Sequence, residues 1–253
     1  MRKNFYFRHF KQTSVESENP YWISFSDIMA GLLVIFILAL IVLMIRLNTQ
    51  TIMTKELREQ VEKALKELAA IEAVRNEILY EIKNNLKLKG VDVEVVENNT
   101  VLSIPERLSF YSGQYNIPEN KKNTVLLIGN EIKKALQKPG RTKYIDTIFI
   151  EGHTDSVPYN RVELGNWGLS AHRAISIWKY WTESPGELEE FKNMKNRNGK
   201  HLFSVSGYSW TRRVVDPDIA PRDKEKNRRI DIRFTMHTPV TGELQKLLER
   251  LRE

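Results

Sequence analysis

Cysteine is absent from all 253 residues of this chain. Its absence excludes disulfide bonds, thiol nucleophiles and thiolate metal sites, and it is compatible with a bacterial envelope compartment. The length leaves room for one ordinary folded domain plus a membrane anchor and a connecting element, whereas a two-domain enzyme would be crowded. The formal net charge of +7 suits nucleic acid, anionic lipid or an anionic wall polymer without choosing among them.

Charged residues are also missing from the stretch between Ile28 and Ile45, which follows the aromatic pair Tyr21 and Trp22. An apolar run of this length is sufficient to span a bilayer, and the aromatic pair is typical of a membrane interface. A cleaved signal peptide is the alternative, but the run continues into Arg46 with no small-residue cleavage site and is longer than the apolar core of a usual signal peptide. The sequence therefore predicts an uncleaved transmembrane helix over residues 21–46.

The orientation of this helix depends on the basic residues at its two ends. They are nearly balanced, with Arg2, Lys3, Arg8 and Lys11 before the span and Arg46, Lys55 and Arg58 after it. The positive-inside rule therefore favours a cytoplasmic N-terminus only slightly. We expect residues 1–20 to form a short cytoplasmic tail of a single-pass inner-membrane protein whose C-terminal part is periplasmic.

A heptad pattern follows the span. Its positions, at alternating steps of four and three, are Leu57, Val61, Ala64, Leu68, Ile71, Arg75, Ile78 and Ile82, and only Arg75 breaks the apolar series. The pattern predicts a linker helix over residues 47–90 that stops at Gly90. A parallel homodimeric coiled coil is favoured, because a lone exposed helix cannot bury such a seam. The alternative is a helix packed on its own globular domain.

Residues 91–237 have the pattern of an α+β domain. A hairpin is predicted around Val93 and Leu102, followed by helix 119–137, strand 145–151, a helix from Ser170 to 182, and strands 203–206 and 230–235. This order favours an α/β sandwich with helices on one face of a mixed sheet. Residues 238–253, including the stretch from Thr241 to Arg252, are predicted to form a last amphipathic helix.

One acidic residue, Asp27, lies at the start of the membrane segment. From the helix rise per residue, it lies about 7 Å beyond Trp22. At this depth in a bilayer, an ionised carboxylate is energetically unfavourable unless it faces a protein interior or water. Such carboxylates usually mark ion or proton pathways. The alternative is that Ser24, Ser26 and Asp27 simply cap the N-terminus of the helix at the interface.

A second group of polar motifs lies in the predicted domain: residues 148–155, 166–174 and 227–230. Asp155 at a strand end and Arg173 on a helix could bind a zwitterion, the first by its ammonium and the second by its carboxylate. His153 has no second histidine or carboxylate four residues away, so no metal site is expected. The pair Arg228 and Arg229 could equally be salt-bridged residues of an edge strand.

These motifs resemble the OmpA-like peptidoglycan-binding family. The family pattern EGHTD, NxxLSxxRA and NRR matches Glu151 to Asp155, Asn166 to Ala174 and Asn227 to Arg229. The resemblance covers about residues 91–237 and implies binding of the diaminopimelate-bearing stem peptide of peptidoglycan, without a cofactor. It also implies a set of peptidoglycan-binding residues, with Asp155 and Arg173 as the ligand pair: Thr154, Asp155, Asn166, Leu169, Arg173 and Arg228.

The N-terminal part is similar to the stator subunits of the MotB family, whose single span carries one ion-binding aspartate after an aromatic opening. Here the corresponding run leads from Tyr21 to Asp27. The opening from Trp22 to Asp27 and the compact length look most like the ZorB-type subunits of Zorya phage-defence systems. Two departures concern Ala30, where flagellar stators often have threonine, and the loop between Tyr159 and Asn166, which is shorter than in flagellar members. The departure at Ala30 leaves open which ion is carried, and the shorter loop leaves open how tightly the domain binds the wall.

The resemblance implies a homodimer within a pentameric ring of a polytopic MotA-like or ZorA-like subunit, with a proton or sodium ion carried by Asp27 and peptidoglycan as the fixed anchor. Neither an enzymatic activity nor direct nucleic-acid binding is expected. A flagellar MotB-type stator and a passive wall tether are the alternatives, and an envelope hydrolase is poorly supported by the sequence.

Overall fold

The computed structural model describes residues 20–183 and 188–237. The chain divides into two compact units, residues 1–60 and 61–253, and each has its own internal contacts. The predicted cytoplasmic tail, apart from Pro20, and the predicted C-terminal helix over residues 238–253 lie outside the described residues.

The first unit is described from Pro20, where helix α1 (Pro20–Leu88) begins. Its most apolar eighteen-residue window has a mean hydropathy of 3.3, and within the described residues this is the one helix long and apolar enough to cross a membrane. Large apolar side chains are exposed all round it, as at the four consecutive residues Leu33, Val34, Ile35 and Phe36. Such a surface is unfavourable in water and suits the hydrocarbon core of a bilayer, as the sequence predicts.

Within the second unit, α1 begins to bury apolar side chains at Ile71. Ile71, Ile78 and Ile82 are buried, and the last two belong to the hydrophobic core of the domain. The same part of the helix is tied to the domain by Glu81, which accepts a 2.8 Å hydrogen bond from Arg141. Leu68, by contrast, is 39% exposed.

The heptad seam therefore divides into a part that is buried on the domain and a part that is exposed. From Ile71 to Ile82 it packs on its own domain, which is the alternative that the sequence left open, because the sheet and a second helix offer it an apolar surface within the same chain. Only the stretch up to Leu68 retains exposed seam positions for a coiled coil. The domain accordingly begins well before the predicted boundary at residue 91, and the compact unit starts at Val61.

The remaining elements form the predicted α+β domain with a mixed sheet. The strands are β1 (Glu94–Val96), β2 (Val101–Pro105), β3 (Ile145–His153), β4 (Phe203–Gly207) and β5 (Arg229–Met236). The helices are α2 (Glu119–Gln137), α3 (Gly165–Glu183) and α4 (Pro221–Asn227), with 3₁₀ turns at Glu106–Leu108, Thr142–Tyr144 and Glu189–Lys192. The sheet order is β1-β2-β5-β3-β4, in which β3 and β4 are parallel and the other pairs are antiparallel.

The two faces of the sheet differ in chemistry because strand side chains alternate. Ile150 pairs with Ile232, and both are fully buried in the core with α2, α3 and the end of α1. The next pair, Glu151 and Asp231, lies on the opposite face, which is polar. The predicted mixed sheet is confirmed, and α2 and α3 lie on its apolar face. Helix α4 differs from the prediction, because Arg222 and Glu225 line a cavity together with Ser103 and Arg229 of the polar face.

Helix α3 lies very close to the ends of β3 and β4. A Cβ added to Gly152 would stand 2.0 Å from the backbone oxygen of Ser170, so only glycine permits this approach. The helix begins at Gly165, not at Ser170 as predicted, and Asn166 therefore lies in its first turn. This packing brings the end of β3 and the first two turns of α3 together in one polar site, which we call the pocket.

Candidate functional site

Asp27 lies inside helix α1. It is seven residues after Pro20, about 10 Å along the helix axis. Ser24 and Ser26 are helical as well, so the three residues do not cap the N-terminus and the capping alternative is wrong. A capping carboxylate would have to stand at the first residue of the helix, where backbone N–H groups have no helical partner.

In the second unit, Asp155 is the second residue after β3 and is nearly buried, with 9% of its surface exposed. Its Oδ1 accepts a 3.1 Å hydrogen bond from the Val157 backbone N–H. Its Oδ2 accepts a 2.7 Å hydrogen bond from Nη1 of Arg228. The carboxylate is therefore held at the mouth of the pocket by one backbone donor and one arginine.

Arg173 lies two turns along α3 and is 1% exposed. Its Nε donates a 2.8 Å hydrogen bond to the Gln114 carbonyl oxygen, and its Nη2 forms an ion pair with Oε1 of Glu106. The guanidinium also lies 5.4 Å from the ring centroid of Phe110. These contacts fix the planar guanidinium in a single orientation at the base of the pocket.

Glu106 connects the two arginines of the pocket. One carboxylate oxygen pairs with Arg173, and the other, Oε2, accepts a 2.7 Å hydrogen bond from Nε of Arg228. Together with the Arg228 bond to Asp155, this makes a chain of alternating charges: Arg173, Glu106, Arg228 and Asp155. We call these four residues the charge chain; its formal charges sum to zero.

The pKa values of the two arginines respond differently to this environment. Burial lowers the pKa of Arg173, and the pairing with Glu106 offsets only part of that effect. Burial also works to lower the pKa of Arg228, but the hydrogen bonds to Asp155 and Glu106 outweigh it and raise that pKa above its ordinary value. Both groups remain cationic near neutral pH, so both can bind a carboxylate.

The other predicted site residues shape the pocket. Asn166 donates a 2.9 Å hydrogen bond to the Val157 carbonyl oxygen and so holds the loop after Asp155 against α3. The Thr154 hydroxyl donates to the Asp155 carbonyl oxygen at 3.0 Å, and the Thr154 backbone N–H donates to Ser209 at 2.8 Å. Leu169 is buried beside them in the first turns of α3.

Asp218 supports this site, and sequence reasoning missed it. It accepts a 2.9 Å hydrogen bond from the backbone N–H of Ser156, the residue after Asp155, and a 3.1 Å bond from the side chain of Asn227, the residue before Arg228. Burial works to raise its pKa, but the hydrogen bonds from Ser156 and Asn227 lower it to about 2. Glu106 was missed too, because a single acidic residue after Pro105 does not belong to any spaced motif in the sequence.

The structure thus links Asp155, Arg173 and Arg228, three of the residues predicted to bind peptidoglycan, in one charged site. It differs from the predicted ligand clamp in one respect, because each arginine already holds a carboxylate of the protein itself. Arg228 and Arg229 are salt-bridged, as the alternative predicted: Arg228 to Glu106 and Asp155, and Arg229 to Asp231. They do not lie at an edge of the sheet, since β5, which begins at Arg229, is its central strand.

The polar face of the sheet carries a second charged cluster, in which Glu151, His153 and Asp231 present their ligand atoms within 4.8 Å of one another. This geometry resembles a metal site, but both carboxylates are already neutralised. Asp231 accepts a 2.9 Å hydrogen bond from Arg229, and Glu151 is bound by Arg233 at 2.9 Å. A divalent cation would add two uncompensated buried charges, so the cluster fits a structural role.

His153 lies within this cluster. It is buried, stacks on Tyr208 with ring centroids 5.4 Å apart, and places Nε2 3.2 Å from Oδ2 of Asp231. Burial works to raise the pKa of Asp231, but the contact with His153 and the charge of Arg229 outweigh it and lower that pKa.

A cavity of about 900 Å³ lies on the same polar face, and none of the four residues of the charge chain lines it. Its floor includes Ser103 and Arg229, and its walls mix basic side chains such as Arg222 with acidic ones such as Glu94. Ser103 and Arg229 are both hydrogen-bonded to Asp231. None of the six predicted peptidoglycan-binding residues lines this cavity.

Residues 109–228, which carry strands β3 and β4 of the mixed sheet, match the OmpA family. This match includes Asp155, Arg173 and Arg228 but neither α1 nor Glu106. No curated protein sequence matches the chain.

Several solved structures are similar to this chain. A MotB-like protein from Desulfovibrio vulgaris shares 16% identity, with 67% of this chain and 98% of that chain covered and a TM-score of 0.49. The cell wall anchor of the T6SS from Pseudomonas aeruginosa shares 19% identity, with coverages of 64% and 99% and a TM-score of 0.46. The periplasmic domain of Helicobacter pylori MotB shares 20% identity, with coverages of 63% and 90% and a TM-score of 0.45.

Proposed function

We propose that this chain is the B-type subunit of an ion-driven stator, a motor component of the bacterial inner membrane that is anchored to peptidoglycan. The observation that carries the proposal is the position of Asp27, seven residues inside a helix of membrane-spanning length on the same chain as an OmpA-like domain. A passive wall anchor has no need of a carboxylate there.

Asp27 is the proposed carrier of the translocated proton or sodium ion. Two copies of the chain would place two such carboxylates within a ring of a polytopic MotA-like or ZorA-like partner. One elementary charge that crosses 100 mV supplies about 2.3 kcal/mol, which is enough to bias a conformational step between packed helices. The output of the motor is therefore mechanical.

The charge chain is the proposed binding site for the wall. Asp155 would bind the ammonium, and Arg173 the carboxylate, of a zwitterionic amino acid such as the diaminopimelate of the peptidoglycan stem peptide. Arg173 is suited to this role because its guanidinium is held rigidly by Gln114 and Phe110. A wall-bound domain would provide the fixed point against which the partner ring moves.

The ion-carrying role is tested in cells with Asp27→Asn, which removes the charge and retains the shape of the side chain. We expect this variant to be inserted at normal levels and to lose ion flux together with phage protection or motility, whichever the host strain supports. Ser26→Ala is the matched control, since it alters a polar neighbour within the same helix. Undiminished output from Asp27→Asn would leave a passive tether as the better description.

The wall-binding role is tested by retention of the detergent-solubilised full chain on purified sacculi. We expect Asp155→Asn to reduce retention about tenfold or more, because a lost charge-assisted bond is worth about 1.5 to 3 kcal/mol. Asp92→Asn, an exposed acid that does not line the pocket, should leave retention unchanged. Release of soluble wall fragments would instead identify a hydrolase.

The biological setting is proposed to be Zorya-type phage defence, in which movement of the ring signals to cytoplasmic effectors. The compact opening from Trp22 to Asp27 supports this choice over a flagellar stator. The genes that flank this one decide between the two settings: a defence helicase and nuclease would support the proposal, and flagellar genes would overturn it.

A further inference from the structure

The wall-binding pocket is filled by the protein's own charged groups. A zwitterionic ligand would need a free carboxylate at Asp155 for its ammonium and a free guanidinium at Arg173 for its carboxylate. In the structure, Arg228 donates to Asp155 at 2.7 Å, and Glu106 is ion-paired with Arg173. Arg228 therefore stands where the ligand's cation would bind, and Glu106 stands where its anion would bind.

We propose that Glu106 and Arg228 form an internal counterpart of the ligand, which keeps the pocket closed until a wall peptide displaces it. This inference rests on the proposed function of the pocket and adds its regulation. Glu106 acts as the competitor at Arg173, and it is a specificity-determining residue that the resemblance did not indicate.

Glu106 and Arg228 can leave the pocket together. Nε of Arg228 donates a 2.7 Å hydrogen bond to Oε2 of Glu106, so the two side chains are already a pair. The Arg228 side chain is 23% exposed and the Asp155 side chain 12%, whereas Arg173 is buried behind them. The outer arginine is thus the group that a ligand meets first.

The exchange also preserves charge balance. Before binding, two buried anions face two cations within the charge chain. After binding, the ligand's ammonium pairs with Asp155, its carboxylate pairs with Arg173, and Glu106 remains bonded to Arg228. No charge is left buried without a partner, which would otherwise be strongly unfavourable. A ligand that offers only one of the two charges would break this balance, so the closed pocket selects for a zwitterion.

The test measures binding of the detergent-solubilised full chain to a soluble stem peptide that ends in diaminopimelate and to purified sacculi. Glu106→Gln keeps the size of the side chain and removes its charge. We expect this variant to bind the peptide about tenfold more tightly than the natural chain, a change that corresponds to about 1.4 kcal/mol. Glu225→Gln is the control, since Glu225 is half exposed and pairs with Arg107 at 3.5 Å outside the charge chain.

Glu106→Asp is the second variant, because loss of a carboxylate beside buried Arg173 could prevent folding. It keeps the charge but is too short to hold both arginines, so we expect tighter binding than in the natural chain by a smaller factor. If the natural chain binds in a manner that depends on Asp155 while the folded Glu106 variants bind equally or more weakly, the inference is overturned and the proposed function stands. If neither the natural chain nor any Glu106 variant binds, both are overturned.

Discussion

At the scale of single residues, the pocket depends on buried acids that hold its loops in place. Asp218 joins Ser156, next to Asp155, with Asn227, next to Arg228. These bonds fix the two chain segments that carry the mouth of the pocket. A carboxylate that accepts several hydrogen bonds is stabilised in its ionised form, which explains why the pKa of Asp218 lies at about 2 in spite of its burial.

This shift predicts a pH dependence of stability. The pKa of Asp218 is 3.8 in its ordinary state and about 2 in the folded chain, so the unfolded chain binds more protons between these values. The stabilising contribution is therefore complete above about pH 4 and is lost as the pH falls toward 2. We expect Asp218→Asn to lower the unfolding temperature at pH 7 and to make its decline between pH 4 and 2 shallower.

The measurement is thermal unfolding of the full chain in detergent, monitored by the fluorescence of its tryptophans, which include the buried Trp181. Asp92→Asn replaces an exposed acid and serves as the control. A pH profile for Asp218→Asn that runs parallel to that of the natural chain would show that Asp218 does not supply this dependence.

At the scale of secondary-structure elements, the informative feature is α1, because one helix serves two environments. Its segment within residues 20–60 exposes apolar side chains on every side, as a membrane helix does. The last five turns belong to the domain, where Glu81 and Asn85 contact α2 and the loop that follows it. Burial of Ile78 and Ile82 against the core makes these turns part of the domain rather than of a linker.

This assignment predicts different effects of two substitutions in the same helix. Ile82→Ala should destabilise the domain by about 2 to 5 kcal/mol, the usual range for removing a fully buried aliphatic side chain. Leu68→Ala, at a seam position that is 39% exposed, should change the stability of the domain by about 0.5 kcal/mol or less. Denaturant unfolding of the full chain in detergent gives both values. Equal losses would favour a coiled coil that runs through both positions.

At the scale of the whole molecule, the chain combines two units with separate chemistry. Asp27 lies in the unit of residues 1–60, and the charge chain lies in the unit of residues 61–253. Each unit has its own internal contacts, so a substitution in one should leave the local properties of the other intact. The proposed motor nevertheless needs both, since ion flow does no mechanical work against a subunit that is not anchored.

This separation predicts that Asp27→Asn and Asp155→Asn each abolish phage protection or motility. The first should stop ion flux, and the second should weaken binding to the wall. Asp27→Asn should retain the natural binding to sacculi, and Asp155→Asn should retain normal membrane insertion. Retention assays and membrane fractionation of the same strains check the two outcomes. A change of more than about twofold in sacculus binding by Asp27→Asn would reveal energetic coupling between the units.

Much of this organisation follows from local patterns in the sequence. Eighteen residues without charge, from Ile28 to Ile45, can only be accommodated in an apolar medium, and Gly90 marks the end of α1 within two residues. Helix α2 was predicted over residues 119–137, where the structure has it, because its apolar face repeats at helical spacing. The motif at Glu151 to Asp155 also indicated the end of a strand that carries an acid.

The tertiary structure alone decided which groups meet. Glu106 and Arg228 are 122 residues apart, and no periodicity links them, yet one hydrogen bond of 2.7 Å joins them in the pocket. The heptad seam likewise had two possible partners of equal apolarity, and only the fold supplied a nearer surface for Ile78 and Ile82. Local sequence sets conformational preference and polarity, but pairing between distant residues depends on how the sheet and helices pack, which the spacing of residues along the chain does not specify.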